Sequence, residues 1–238
     1  MKHYLSIVVA LSVTLTSLAQ TVATDLNPQD PKAKEILDAM SDKASSYKSF
    51  KADFEYTLIN ETESINETQK GSVMMKGKEK YKLEVAGQEI MCDGETVWTF
   101  IPDVGELQIS DLPEEDEDDG NMMNPANAFH MYKNGFKYKY SGKATIDGID
   151  ADVVKMYPMN PKGKSYHTII VNVDKAKLEL ISMVVKGKDG NEYTYRLKNF
   201  TPNIDVSDSD FEFDEDRADD IIDLREWFWS YSRTVKWS

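Results

Sequence analysis

The sequence predicts a mainly β chain: one amphipathic helix followed by a long antiparallel meander of about ten or eleven strands that curls on itself. Three observations carry this. Apolar residues recur at helical spacing only near the start, at Ile36, Leu37, Met40, Ala44 and Tyr47. After Phe50 the period changes to two and stays there. Turn pairs such as Asp93-Gly94, Asp147-Gly148 and Asp189-Gly190 divide the alternating runs.

Taken in order, the first residues, MKHYLSIVVALSVTLTSLAQ, stand apart from the fold. Lys2 and His3 precede an apolar run from Leu5 to Leu18, and Ser17-Leu18-Ala19 offers the small residues of a cleavage site. Residues 1–19 read as a removed signal peptide, with an N-terminal anchor as the alternative. Gln20, where a lipoprotein would need Cys, argues against a lipid anchor there. Removing one Lys leaves 27 basic against 42 acidic side chains, a formal charge of -15 for the exported chain. Such a balance excludes nucleic acid as a partner of its bulk field, and equally anionic headgroups. Cys92 is the only cysteine, so the domain has no internal disulfide and must be held by its core.

Pro28 to Pro31 form an extended lead-in and Lys32 to Tyr47 the helix. Then Phe54, Tyr56 and Leu58 alternate with charged or polar neighbours, as do Tyr81, Leu83 and Val85; Phe136, Tyr138 and Tyr140; and Tyr193, Tyr195 and Leu197. A second helical stretch is expected over Pro125 to Asn134, and Phe211-Glu212-Phe213 reads as a further short strand. Nothing in the order of elements suggests parallel βαβ units, an internal repeat or a second domain.

The residues offer little chemistry. The acidic run 111–120, DLPEEDEDDG, fails as a calcium loop because its twelfth position is Ala126 and no helix enters it. It reads as a solvated loop. Lys162-Gly163-Lys164-Ser165 lacks the first glycine of a phosphate loop, where Pro158 stands, and reads as a hairpin turn. No nucleophile elbow is present, and neither histidine of the exported chain, His130 or His167, suggests a base beside Cys92. Asn60-Glu61-Thr62 and Asn66-Glu67-Thr68 match glycosylation sequons, short motifs common by chance. The expectation is a protein that is not an enzyme and uses neither cofactor nor metal. A hydrolase of envelope material would need a catalytic pair that spacing does not supply.

What remains is apolar, aromatic and rich in methionine, eleven in all, including Met74-Met75, Met91 and Met122-Met123. Residues 91–107, MCDGETVWTFIPDVGEL, put Trp98 and Phe100 on one face of a strand and Thr99 and Ile101 on the other. Such residues make either an ordinary core or the wall of a cavity for flexible hydrocarbon.

Several segments in fixed order resemble the outer-membrane lipoprotein carrier proteins (LolA-like). They are the helix followed by Ser49-Phe50-Lys51-Ala52-Asp53-Phe54; Gly71-Ser72-Val73-Met74-Met75; Lys80-Tyr81-Lys82-Leu83-Glu84; and the pattern formed by Asp93, Gly94, Trp98, Phe100 and Pro102. Ile169 to Asp174, Asp189-Gly190 and Phe211-Glu212-Phe213 continue the order, and the resemblance spans roughly residues 33–225. It implies an unclosed antiparallel β-barrel of about 11 strands with helices as a lid over a hydrophobic cavity. The lining it implies is Met74, Tyr81, Leu83, Ile90, Trp98, Phe100 and Phe129, with Ile36, Met40 and Phe129 on the lid. Trp98 and Phe100 should then face the cargo. The function it implies is that of a soluble periplasmic carrier, a monomer. It would take lipoproteins by their acyl chains from an inner-membrane ABC releasing complex to an outer-membrane acceptor. The alternative is a lipid-sensing or regulatory module on the same fold, of the type that binds an anti-sigma factor. The family's latch Arg, in the turn before the aromatic strand, is missing: that turn is Lys76-Gly77-Lys78. The domain would occupy residues 20–225. Residues 226–238, EWFWSYSRTVKWS, extend beyond the resemblance. Trp227, Trp229, Tyr231, Arg233, Val235 and Trp237 fall on one face at period two and Phe228 with the serines on the other. The tail is therefore expected to add a strand over the sheet edge or cavity mouth, with a membrane-interface contact as the alternative.

Overall fold

The computed structural model describes residues 29–112, 125 and 127–225. The expected signal peptide, the acidic run beyond Leu112, Met122-Met123 and the aromatic tail lie outside the described residues.

Helix α1 spans Pro31–Ser45. Asp30 caps it, its Oδ1 accepting from the Lys32 and Ala33 amides at 2.8 and 3.3 Å, and Pro31 sits where a missing N–H costs nothing. One face buries Ala33, Ile36, Leu37, Met40 and Ser41. The strands follow as β1 (Ser49–Asn60), β2 (Ile65–Lys76), β3 (Lys80–Val85), β4 (Gln88–Asp93), β5 (Thr96–Ile101), β6 (Glu106–Asp111), β7 (Phe136–Ile146), β8 (Ile149–Pro158), β9 (Tyr166–Asp174), β10 (Leu180–Gly187), β11 (Glu192–Pro202) and β12 (Asp220–Asp223). The predicted turns hold. Asp93 Oδ1 accepts from the Glu95 and Thr96 amides, and Asp147 and Gly148 both take positive φ, as a two-residue hairpin turn requires.

The sheet order is β12-β6-β5-β4-β3-β2-β1-β11-β10-β9-β8-β7, a single unclosed sheet of twelve strands. It corrects the expectation of sequential hairpins throughout. Two meanders, β1–β6 and β7–β11, are joined by the long-range pairing of β1 with β11, in which Tyr56 stands opposite Tyr195. One pairing, β12 with β6, is parallel. Periodicity reports strands but not their partners, so neither feature was legible beforehand.

Two further expectations are corrected. Residues 127–133 form two 3₁₀ turns, Asn127–Phe129 and Met131–Lys133, in place of an α-helix. So short a segment nucleates a helix poorly, and its side chains are occupied with α1 instead: the Tyr132 hydroxyl donates to Asp38 at 2.7 Å. Phe211-Glu212-Phe213 is not a strand. Phe211 closes a 3₁₀ turn, and both aromatic rings are buried against the face of the sheet. An extended segment lying across a sheet shows the same period of two as a strand within it.

Register assigns each side chain to one of two faces. On the inner face, α1 packs into a cluster with Tyr138, Val154, Met156, Ile169, Val171 and Met183. A second inner cluster joins Phe50, Ala52, Phe54, Val73, Met75, Tyr81, Leu83, Cys92, Val97 and Phe129. A third, on the outer face, joins Met91, Phe100, Leu107, Ile109 and Phe213, with Trp98 packed against it.

Candidate functional site

The inner face of β1–β5 is built from directly opposed residues. Tyr81 stands opposite Met75 and Cys92, and Cys92 opposite Val97; Leu83 stands opposite Val73 and Ile90. Gly71 belongs to this surface because the Phe54 ring lies over it: a Cβ there would come within 2.4 Å of Phe54 Cζ and of the Glu84 carbonyl oxygen. Burial raises the Tyr81 hydroxyl and the Cys92 thiol above their ordinary pKa values, so both are neutral groups on an apolar wall. Further along, Tyr56, Tyr193 and Tyr195 form a half-buried aromatic patch, with centroids 6.2 and 5.2 Å from Tyr56. Burial pushes the Tyr195 hydroxyl up to about 12.

Two elements cover this wall. Met40 and Ala44 of α1 meet it from one side, and the Phe129 ring packs edge-on to Phe50 at 5.9 Å. The cleft they leave, bounded by Met40, Tyr47, Phe50, Phe129, Leu180 and Phe200, holds about 10 Å³, roughly one water. This cleft between cover and wall is therefore closed by packing. The covering elements are joined by polar bonds: Tyr132 to Asp38, and Ser41 with His130 Nδ1 at 2.7 Å. The Lys34 ammonium and then the Tyr132 hydroxyl hold the Asp38 carboxyl below its ordinary value. At the far end of α1, Tyr47 donates to Glu179 at 2.7 Å.

Of the residues expected to line a cavity, Tyr81, Leu83, Ile90 and Phe129 meet on this face. Ile36 and Met40, expected on a lid, are buried in the cluster around α1. Met74, Trp98 and Phe100 are elsewhere. Met74 pairs with Lys51 and Lys82, Trp98 with Met91 and Ile109, and Phe100 with Leu107 and Glu89, all on the outer face. The expected parity of β5 is thus reversed relative to the inner wall: Val97 and Thr99 face inward, while Trp98 and Phe100 face a segment that returns over the outer side. That segment runs from Asn203 to Asp219. Phe213 meets Phe100 at 4.9 Å, and Arg217 lies over both rings at 5.1 and 4.7 Å. Its guanidinium grips Glu89 bidentately at 2.7 and 3.2 Å. The indole N–H of Trp98 is buried without a hydrogen bond among the described residues.

The turn Lys76-Gly77-Lys78 also serves this outer segment. Lys76 donates to the Val206 carbonyl and pairs with Asp208, which Lys80 reaches as well. Asn60, read as a sequon, is 3% exposed; its side chain accepts from Thr62 and Glu63 and donates to Asn191, so it shapes a turn. Among the described residues no three His, Cys, Asp or Glu side chains gather as metal ligands, and no helix is long and apolar enough to cross a membrane. The residues that sequence reasoning missed are Cys92 and Val97, which the β3–β4–β5 register brings to the wall, and the Tyr56–Tyr193–Tyr195 patch, which the β1–β11 register assembles.

The family model of the outer membrane lipoprotein carrier protein LolA matches residues 45–214, and the chain belongs to that family. Among solved structures, an uncharacterized conserved protein from Thermus thermophilus aligns at TM-score 0.51 and 12% identity, over 81% of this chain and 99% of that one. A LolA superfamily protein from Nitrosomonas europaea aligns at 0.43 and 15%, over 76% and 97%. MucB aligns at 0.49 and 11%, over 79% of this chain and 64% of its own. At such identities the likeness is one of fold. No curated protein matches the sequence closely enough to be a relative.

Proposed function

We propose that this LolA family member is an exported carrier, residues 20–225 after loss of a leader at 1–19. It takes up acyl chains of lipoproteins against the inner face of the sheet and passes them from an inner-membrane releasing complex to an outer-membrane acceptor. The observation that supports this reading best is the continuous apolar wall of Tyr81, Leu83, Ile90 and Val97, covered by two elements that hold each other by only a few side-chain hydrogen bonds.

The physics of the cover suits uptake and release. An acyl chain gains about 0.8 kcal/mol per buried CH₂, so a preformed cavity swallowing a whole chain would hold it too tightly to hand over. Here the wall is already satisfied by Phe129, Met40 and Ala44. A guest must displace those contacts, and only the difference appears as affinity. Release is then favoured by the cover closing again. No Arg latch is required: Lys76 and Lys80 are engaged on the outer side, and Asp38–Tyr132 and Ser41–His130 do the fastening.

The test is binding of a long-chain acyl probe to delipidated protein. Ile90→Glu, at a half-buried inner position, is expected to weaken binding at least tenfold with the thermal unfolding transition retained. Unchanged binding in both Ile90→Glu and Leu83→Glu would refute the assignment of the inner face.

A further inference from the structure

The formal charge of -14 conceals a strong segregation. Residues 131–200 hold 13 Lys and Arg against 7 Asp and Glu, net +6, whereas the remainder holds 15 against 35, net -20. The fold concentrates the basic excess further. The segment before β7, the 159–165 turn and the 186–190 turn meet at one end of the sheet. The Met159 amide donates to the Gly135 carbonyl at 2.8 Å, and the Lys188 amide donates to the Ser165 carbonyl at 2.8 Å. This end carries Lys133, Lys137, Lys162 and Lys188, the last anchored by its ammonium on the Pro161 carbonyl. Its carboxylates are Asp189, which binds Asn191, and Glu192, which is paired with Lys186 at 2.6 Å. On the α1 side the carboxylate of Asp38, engaged by Lys34 and Tyr132, lies near Lys133, and that of Asp30, which caps α1, lies near Lys139. Those of the 147–150 and 174–179 turns, Asp147, Asp150, Asp174 and Glu179, lie at the opposite end of the same strands, and Asp152 bonds Tyr140 on the inner side.

The outer face continues the basic end. Lys139 stands directly opposite Lys155, an arrangement that destabilises a strand pair, with Lys137 two residues away. None of Lys133, Lys137, Lys139, Lys155 or Lys162 lies within ion-pair distance of a described carboxylate. Tyr157 stands opposite Lys137 on this face, and Met159 is exposed beside it. An amphipathic aromatic ring and an exposed apolar side chain set among lysines that form no direct ion pair with a described carboxylate suit the headgroup layer of a bilayer.

We infer that the basic end of β7–β10 is a docking surface for anionic lipid headgroups, orienting the protein on a membrane. The acidic outer segment, which lies over β2–β5, is at least three strands, roughly 14 Å, away in the sheet order. That exceeds the screening length of about 8 Å at physiological salt, so the local lysines and not the net charge govern the approach.

The inference stands apart from the acyl-binding reading and is tested separately. The exported protein is mixed with vesicles of phosphatidylglycerol and phosphatidylethanolamine, or of phosphatidylcholine alone, and co-sedimentation is measured. Binding is expected only to the anionic vesicles, falling steeply between low salt and about 0.5 M. The exposed pair Lys139→Glu and Lys162→Glu should reduce it at least tenfold, while Lys143→Glu, further along β7, leaves it intact. Acyl-probe binding should be unaltered in all three. No binding at low salt, or binding indifferent to Lys139→Glu and Lys162→Glu, would overturn the inference. Retention on immobilised polyglutamate without vesicle binding would likewise overturn it and reassign the face to an acidic protein.

Discussion

Val97 and Trp98 are adjacent in sequence and belong to different cores. Val97 faces inward with Tyr81, Cys92 and Phe129. Trp98 faces outward with Met91, Ile109 and, beyond them, Phe100, Phe213 and Arg217. Both faces of β5 are apolar, but they are closed differently. The inner one is covered by elements whose contacts a guest could replace. The outer one is sealed by a chain segment fastened at Lys76, Lys80 and Glu89. An apolar face alone does not mark a binding site; what covers it, and how firmly, decides.

The largest difference between the faces should appear on truncating Phe100, which is 5% exposed and stacked on Phe213. Phe100→Ala is expected to cost about 3–5 kcal/mol in denaturant unfolding, with acyl-probe affinity per folded molecule unchanged. A variant that lost probe affinity while keeping its stability would put the cargo on the outer face after all. On the inner side, Phe129→Ala removes part of the cover. Its expected cost is smaller, about 2–3 kcal/mol, because the segment carrying it is short and partly solvated, and probe affinity should rise because less packing must be displaced.

The location of this boundary was only partly legible in the sequence. Alternation gave the helix, nearly every strand and the turns at Asp93-Gly94 and Asp147-Gly148, because each depends on neighbours a few residues apart. It also separated Trp98 and Phe100 correctly from Thr99 and Ile101. It could not say which set faces inward. That assignment rests on Tyr81 standing opposite Cys92, and on Phe213, more than a hundred residues away, settling over Phe100. The acidic stretch around Phe211 reads as a strand for the same reason, since an extended strap and an edge strand share one pattern. Charge segregation was hidden by averaging, because a sum over the chain erases the basic end of β7–β10.

Smaller perturbations sharpen the contrast. Arg217→Ala should cost about 1 kcal/mol, the grip on Glu89 being bidentate but partly exposed, and should loosen only the outer segment in hydrogen exchange. Acid should act on both fastenings. The carboxyls of Asp38 and Glu89 are held below their ordinary values, 3.8 and 4.5, by Lys34 and Arg217. Depressed folded pKa values mean that their contribution is present above those ordinary values and is lost as pH falls below them. Thermal unfolding followed from pH 6 to pH 3 should show that loss, and it should be diminished in Asp38→Asn.

The most direct measurement of the central claim is covalent mapping of the cargo. A long-chain fatty acid bearing a photoactivatable diazirine is bound, irradiated, and the labelled peptides are identified by mass spectrometry. Labels should fall on residues 80–92 of the inner wall, on Val97 and on Phe129, and the Cys92 thiol should be protected from alkylation while the chain is bound. Labels concentrated on Trp98, Phe100 or residues 211–213, with Cys92 alkylated at the same rate in the presence of cargo, would contradict it.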